Sequence, residues 1–112
     1  MRRMHIHLSV DDLDKNIKFY TTMFGAKPNI HHNDYAKWRL EDPSVNFAIS
    51  DKGRENGLNH LGLELDSNEE LDKVHQRIDE NNLIVAKSYW RCRFKDDFEF
   101  DIHFLKNKNI IG

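Results

Sequence analysis

The sequence has few of the features that stabilise secreted or membrane-bound proteins. It contains a single cysteine, Cys92, so no disulfide can form within the chain, and a reducing compartment is expected. No apolar run approaches the roughly 20 residues that a membrane-spanning helix requires. The opening segment Met1–Met4 lacks the apolar stretch of a signal peptide. We therefore expect a cytoplasmic protein that makes no membrane contact.

The chain also lacks a strong excess of charge of either sign. Its formal net charge is −2 and its basic residues are scattered, which excludes the concentrated basic surface typical of a nucleic-acid-binding protein. With 112 residues, one compact domain is the natural expectation. A chain of this size can form a single hydrophobic core without a disulfide or a structural metal.

The first half begins with a strand that has one polar face. Met4–Val10 alternates apolar and polar residues, as a strand does when one of its faces is buried. The polar face carries three residues: His5, His7 and Ser9. Either Asp11 or Asp12 fits the N-cap of a following helix, and Gly25 fits its end. Two further strands complete this half: Tyr35–Glu41 and Val45–Ser50.

The second half repeats this order. Leu58–Leu65 alternates in the same way, and its polar face carries His60, Gly62 and Glu64. Ser67–Glu70 fits a capping box at the start of a second helix. A short strand over 83–86 and a hairpin over 89–105 are predicted to follow.

The two halves can be aligned by placing the strand of His60 on that of His5, 55 residues earlier. This alignment also matches two apolar stripes near the ends of the halves. Those stripes are Val45, Phe47 and Ile49 in the first half, and Phe100, Ile102 and Phe104 in the second. The predicted fold class is therefore α+β. We expect one domain, 1–112, with two tandem βαβββ modules (about 4–51 and about 58–105) forming a curved mixed sheet around a concave cup.

Several short motifs resemble the vicinal oxygen chelate superfamily, which includes glyoxalase I, bleomycin-resistance proteins and extradiol dioxygenases. They are His5 with Val10, Asp12 and Leu13; Asn16–Tyr20; Phe24-Gly25; Tyr35–Pro43; and Leu58–Glu64. This combination is most similar to the branch of cadmium-induced proteins and carbon–arsenic lyases for organoarsenicals. That branch also uses two adjacent cysteines, whereas this chain has Arg91-Cys92-Arg93.

The resemblance implies a metal site in the cup. The family carries its metal on the first strand of each module and on the last strand of the second, which makes His5 and His60 the first two ligands. The family's third ligand is a glutamate on the last strand, and this sequence has none at the aligned place. The 55-residue offset between the halves instead puts His103 on that strand, with Asp101 and Glu99 as alternatives. Glu64 shares the face of His60 and is the candidate catalytic base or orienting partner of an imidazole.

Two histidines and one further donor leave open positions on a divalent ion such as Fe, Zn, Ni or Mn. The resemblance implies a metal-dependent glyoxalase- or dioxygenase-like enzyme, a lyase or an oxidoreductase, acting on a small oxygen-chelating substrate. One alternative is a non-catalytic drug- or metal-binding resistance protein of the bleomycin-resistance type; another is a metal-free interaction module. Members of the family often dimerise, so a homodimer is expected.

Overall fold

The described residues fold into a mixed sheet with two helices. A computed structural model describes the backbone of residues 2–52, 55–81, 87–94, 97–106 and 109–110, and the side chains of residues 2–52 and 55–81. The elements in chain order are β1 (Arg3–Ser9), α1 (Leu13–Phe24), β2 (Ile30–His32), β3 (Tyr35–Glu41), β4 (Ser44–Ser50), β5 (Gly57–Leu65), α2 (Asn68–Glu80), β6 (Lys87–Phe94), β7 (Asp97–Lys106) and β8 (Asn109–Ile110).

The two helices begin and end at the residues that their capping chemistry favours. Asp12 is the N-cap of α1, where its side chain accepts a hydrogen bond from the backbone of Lys15 at 3.0 Å. Gly25 ends α1 in the left-handed conformation, with φ of 69°. Ser67 caps α2 by accepting from the backbone of Glu70 at 3.2 Å. Local side-chain chemistry therefore defines both helix starts.

The described strands form one sheet in the order β2-β3-β4-β1-β5-β7-β6, with β8 paired to β7. β1 is parallel to β4 and antiparallel to β5. β1 therefore lies between β4, the last strand of the first half, and β5, the first strand of the second half. The predicted α+β mixed sheet is confirmed, with a β-α-β-β-β-β-α order from β1 to α2.

One face of the sheet packs against the helices and the other is polar. The core against α1 contains a buried group of apolar residues: Leu13, Ala36, Trp38, Val45, Phe47 and Ile49. A second core joins Leu65 to Leu71 of α2. The opposite face of β1, β4 and β5 carries buried polar side chains: Arg3, His5, Asn46, His60 and Glu64. Neither helix of the described residues is long and apolar enough to cross a membrane.

The second half differs from a strict repeat in the direction of its last long strand. β5 and β7 pair antiparallel, whereas a copy of the β1–β4 pair would be parallel. Two strands, β2 and β3, lie between α1 and β4, and among the described residues between α2 and β7 the strand is β6. The strand predicted over 83–86 lies outside the described residues. The predicted hairpin is confirmed as the antiparallel pair β6–β7.

Candidate metal centre

Pairing of β1 with β5 brings His5 and His60 face to face. The two Nε2 atoms are 2.9 Å apart, and both residues are buried, with 2% and 7% of their surface exposed. The Cα partner of His5 on β5 is Gly62, which has no side chain to fill the space across from the His5 ring. The two histidines that the sequence singles out therefore meet, and they do so within one chain.

The other ring nitrogen of each histidine has its own hydrogen-bond partner. His5 Nδ1 donates to the backbone carbonyl of Asn46 at 3.3 Å. His60 Nδ1 lies 2.8 Å from Oδ1 of Asn59, and an amide oxygen can only accept. Protonation at Nδ1 leaves the lone pair of each ring at Nε2. The short contact then brings two nitrogen lone pairs together. A proton on one Nε2 atom or a cation bound to both satisfies them.

The environment of His5 opposes protonation of its ring. Burial lowers the pKa of His5 to about 3, and the charges of Lys37 and His7 act in the same direction. Contacts of His5 with the side chain and backbone of Asn46 act in the opposite direction without outweighing burial. His5 is therefore held as a neutral imidazole, which is the form that binds metals.

The spacing of the pair fits two ligands of one metal ion. Imidazole nitrogens bound to one ion at about 2.0–2.1 Å lie about 2.9 Å apart when the angle at the ion is about 90°. The observed 2.9 Å between the Nε2 atoms of His5 and His60 matches this arrangement. Of the expected metals, imidazole nitrogens suit Fe, Zn and Ni, whereas Mn is better suited by carboxylate ligands.

The predicted third ligands lie on β7, whose side chains are outside the described part of the structure. The backbone register pairs His103 with Gly62 and Asp101 with Glu64. Because Gly62 also pairs with His5, position 103 lies in the same row of the sheet as His5. Within the described backbone, Glu99 lies at the irregularity of the β6–β7 pair, between the Trp90–Phe100 and Arg93–Phe98 partners. Among the described side chains, no three His, Cys, Asp or Glu residues are grouped so as to hold a metal.

Glu64 lies on the same polar face, but its carboxylate is bound to arginines. It is 1% exposed and accepts hydrogen bonds from Arg3 at 3.3 Å, from Arg39 at 3.0 and 3.3 Å, and from the side chain of Asn46 at 3.0 Å. Asn46 and Asn59, rather than Glu64, hold the two imidazoles. The geometry gives Glu64 a structural role, and the catalytic role expected from the sequence stays a prediction.

Sequence reasoning placed His7 on the face of His5 as an alternative orienting residue, but it missed Asn46 and Asn59, which support the pair. Asn59 donates through Nδ2 to Ser9 Oγ at 3.2 Å, which fixes its amide next to His60. His7 is hydrogen-bonded to Ser50 Oγ at 2.8 Å and its ring lies edge-on against His60, 4.9 Å between centroids. The alternation of polar residues along β1 was the signal for His7. No sequence signal pointed to Asn46 or Asn59. His31 and His32 are both exposed on β2, and as adjacent strand residues they point to opposite faces of the sheet.

Comparison with known proteins assigns the chain to a family. Residues 2–104 match the Glyoxalase/Bleomycin resistance protein/Dioxygenase superfamily. The chain is 37% identical over 86 residues to a trivalent organoarsenical cleaving enzyme of Bacillus sp. (strain MD1), covering 75% of this chain and 53% of that protein. It is 38% identical over 89 residues to a probable trivalent organoarsenical cleaving enzyme of Bacillus subtilis (strain 168), covering 78% and 61%.

A further relative is the cadmium-induced protein CadI of Mycobacterium bovis, 33% identical over 88 residues and covering 78% of this chain and 58% of that protein. The chain thus spans between half and two thirds of the length of these curated relatives. The superfamily match extends over nearly all of its residues. The protein therefore belongs to the glyoxalase/bleomycin resistance protein/dioxygenase superfamily and is related to organoarsenical cleaving enzymes and to CadI.

Proposed function

We propose that the protein is a metal-dependent enzyme of the glyoxalase type, in which His5 and His60 bind one divalent ion. The observation that carries this proposal is the 2.9 Å separation of two buried Nε2 atoms whose partner nitrogens are already engaged. In this proposal residues 58–105 act as the second module around the shared cup. His103 is the third ligand, with Asp101 and Glu99 as the alternatives on the same strand.

The chemistry is that of a lyase or a dioxygenase-like oxidoreductase. A divalent ion at this site supplies Lewis acidity to a chelated oxygen or, as iron(II), reactivity toward dioxygen. The residues of the chain hold the ion, keep His5 neutral and exclude bulk water, since His5, Asn46 and His60 are all buried. A small oxygen-chelating molecule is the substrate class that suits a cup with open metal positions.

The relatives suggest a trivalent organoarsenical as the first substrate to test, because two of them carry that activity in their names. Incubating the iron(II)-loaded protein with dioxygen and a trivalent methylated arsenical is expected to release inorganic arsenite and, from the methyl carbon, formaldehyde, with the arsenite measured by chromatography with elemental detection. A protein that binds iron but releases no arsenite contradicts this substrate and leaves the metal site standing.

The second candidate function is capture without turnover, as in a resistance protein that sequesters a drug or a metal. The single cysteine, Cys92, favours it, because one thiol cannot chelate a soft metalloid as an adjacent pair does. Calorimetric titration that shows tight binding of the arsenical, with no product after prolonged incubation, supports capture. Detectable turnover contradicts it.

Metal content tests the proposed ligands directly. We expect about one ion per chain in the wild type and under a tenth of that in His5→Ala and in His60→Ala, measured by elemental analysis after purification without chelators. His32→Ala is the matched control, because His32 is exposed on β2. Circular dichroism checks that the variants fold. Normal metal content in both single variants overturns the proposal.

The homodimer expected from the sequence belongs to the same proposal. Light scattering of the metal-loaded protein at micromolar concentration is expected to give twice the chain mass. A monomer that retains its metal would show that one chain completes the site.

A further inference from the structure

The outer face of α1 exposes large apolar side chains to solvent. Among the described side chains, Phe19 is 59% exposed and Met23 is 56% exposed, and both belong to α1. Residues four positions apart are neighbours on a helix surface, so these two side chains form one continuous apolar patch. Single exposed apolar residues are ordinary, whereas a contiguous patch rimmed by polar groups marks an interaction site.

The patch contains a shallow depression that a side chain of a partner can enter. It has a volume of about 390 Å³ and is lined by five residues of the helix: Lys15, Lys18, Phe19, Thr22 and Met23. Lysine stems can cover apolar surface while their ammonium groups stay in water. The depression therefore suits an apolar group such as an aromatic ring. We call these five residues the α1 patch.

Charges of opposite sign lie beyond the two ends of the α1 patch. Asp11 and Asp14 are exposed near the start of α1, and Lys27 is exposed just after its end. An antiparallel copy of the helix complements both ends, because its Lys27 would lie near the aspartates and its aspartates near Lys27. The helix dipoles of such a pair also attract each other. An anionic lipid surface suits this distribution less well, because it would repel the aspartates.

A twofold axis at Phe19 gives the register of this pairing. Phe19 then packs against Phe19 of the second copy. Met23, four residues after the axis, lies opposite Lys15, four residues before it, and Lys27 lies opposite Asp11, each eight residues from the axis. The last turn of α1 contains no basic residue of its own, and Lys15 of the second copy supplies one beside it.

We infer that the α1 patch is the homodimer interface, formed by antiparallel packing of α1 on α1 of a second copy of this chain. An interface that presents the same surface on both subunits closes as a twofold dimer. The inference rests on the homodimer of the proposed function and names its contact surface. Because α1 covers the apolar face of the sheet, the interface lies away from the polar face, and each chain keeps its own His5–His60 pair.

The first test measures the dimer dissociation constant of the metal-loaded protein by sedimentation equilibrium. Phe19→Ser and Met23→Ser are each expected to raise the constant by at least about tenfold, because each substitution removes apolar contact from both halves of the interface. Met4→Ser is the matched control, since Met4 is 42% exposed but lies on β1, and it is expected to leave the constant unchanged. All three variants are expected to keep the metal content of the wild type, which shows that they fold.

Reversal of the end charges tests the antiparallel orientation. Asp11→Lys and Lys27→Asp each place like charges opposite one another and are expected to raise the dissociation constant by about threefold. The double variant is expected to restore the wild-type value, because it re-forms both pairs with the charges exchanged. Restoration in the double variant is specific to this register, whereas a double variant weaker than either single variant contradicts it.

A disulfide provides an independent measurement of the twofold contact. Phe19→Cys in a Cys92→Ser background is expected to form a covalent dimer under mild oxidation, detected by denaturing electrophoresis without reductant. Lys73→Cys in the same background is the control, because Lys73 is exposed on α2, and it is expected to stay monomeric. Equal rates of cross-linking in the two variants contradict the proposed contact.

The outcomes separate this inference from the proposed function. A dimer with an unchanged dissociation constant in Phe19→Ser and Met23→Ser overturns the α1 interface and leaves the homodimer standing. A metal-bound monomer overturns both, while the histidine site stands. If that monomer sediments with phosphatidylglycerol vesicles and Phe19→Ser does not, the α1 patch binds a lipid surface instead of a second copy. A protein that binds no metal but dimerises through the α1 patch overturns the metal site and supports the interface.

Discussion

At the scale of single residues, the proposed metal centre depends on the partners of its ligands as much as on the ligands themselves. His5 and His60 meet because their strands are neighbours, but their ring orientation comes from Asn46 and Asn59. Groups that hydrogen-bond a metal-binding imidazole fix its tautomer and raise its basicity as a ligand. A sequence pattern that identifies the histidines gives no information about these partners.

Replacing Asn59 tests the importance of such a partner. In Asn59→Leu, His60 Nδ1 loses its acceptor at 2.8 Å, and metal affinity is expected to fall by about 10- to 100-fold. Competition titration with a chromophoric chelator measures this. Asn33→Leu, in the exposed turn between β2 and β3, should leave affinity unchanged. An Asn59→Leu variant with wild-type affinity would show that Asn59 does not position the ring.

At the scale of elements, the termini of α1 were the most predictable part of the chain. The sequence left Asp11 and Asp12 as alternative caps, and the structure selects Asp12, whose side chain reaches the backbone of Lys15. Gly25 ends the helix at φ 69°, as predicted. Both results depend on chemistry within a few residues, which is why sequence reasoning succeeded.

The cap is tested by two adjacent aspartates. Asp12→Ala removes the acceptor for the Lys15 backbone N–H and is expected to lower the free energy of unfolding by about 1 kcal/mol. Asp11→Ala, one residue earlier and exposed, is the matched control and should have little effect. Urea denaturation followed by circular dichroism gives both values. Equal losses would assign the effect to the net charge of this segment.

The helix end gives a second test. Gly25 is left-handed, and a Cβ added there would meet no atom within 4 Å, so any cost of Gly25→Ala is conformational. We expect a loss of about 1–2 kcal/mol in the free energy of unfolding. Gly25→Asn is expected to lose less, because asparagine adopts this conformation more readily. Denaturation showing no loss in Gly25→Ala would mean that the helix end shifts to another residue.

At the scale of the whole molecule, one buried carboxylate ties the sheet together. Glu64 of β5 binds Arg3 of β1, Arg39 of β3 and Asn46 of β4, so four strands share one ionic cluster. Sequence reasoning placed Glu64 on the correct face but could not find its partners, which lie 18 to 61 residues away along the chain. The alternation of residues along a strand predicts on which face of the sheet a side chain lies. Which other side chains lie beside it on that face depends on the order of the strands.

Removing this carboxylate should therefore affect global stability. Glu64→Leu leaves the buried Arg3 guanidinium without its carboxylate, and we expect a loss of about 3–5 kcal/mol in the free energy of unfolding. The control is Glu70→Gln, which affects the exposed pair with Arg2, 54% and 25% exposed, and should cost at most about 1 kcal/mol. Thermal and urea unfolding compare them. Similar small losses in both would contradict a structural role for the cluster.

The sequence by itself determined the two histidine-bearing strands, both helices with the Gly25 end of α1 and the Ser67 cap of α2, the α+β class and the superfamily, because each of these depends on local periodicity or on a linear motif. The tertiary structure decided that β1 lies between β4 and β5, and therefore that His5 faces His60, that Asn46 and Asn59 hold their rings and that Glu64 binds arginines. It also decided that β5 and β7 run antiparallel, which an alignment of the two halves does not predict. Strand order and direction are set by packing between distant segments. The alternation of residues within one strand does not predict which strands lie beside it.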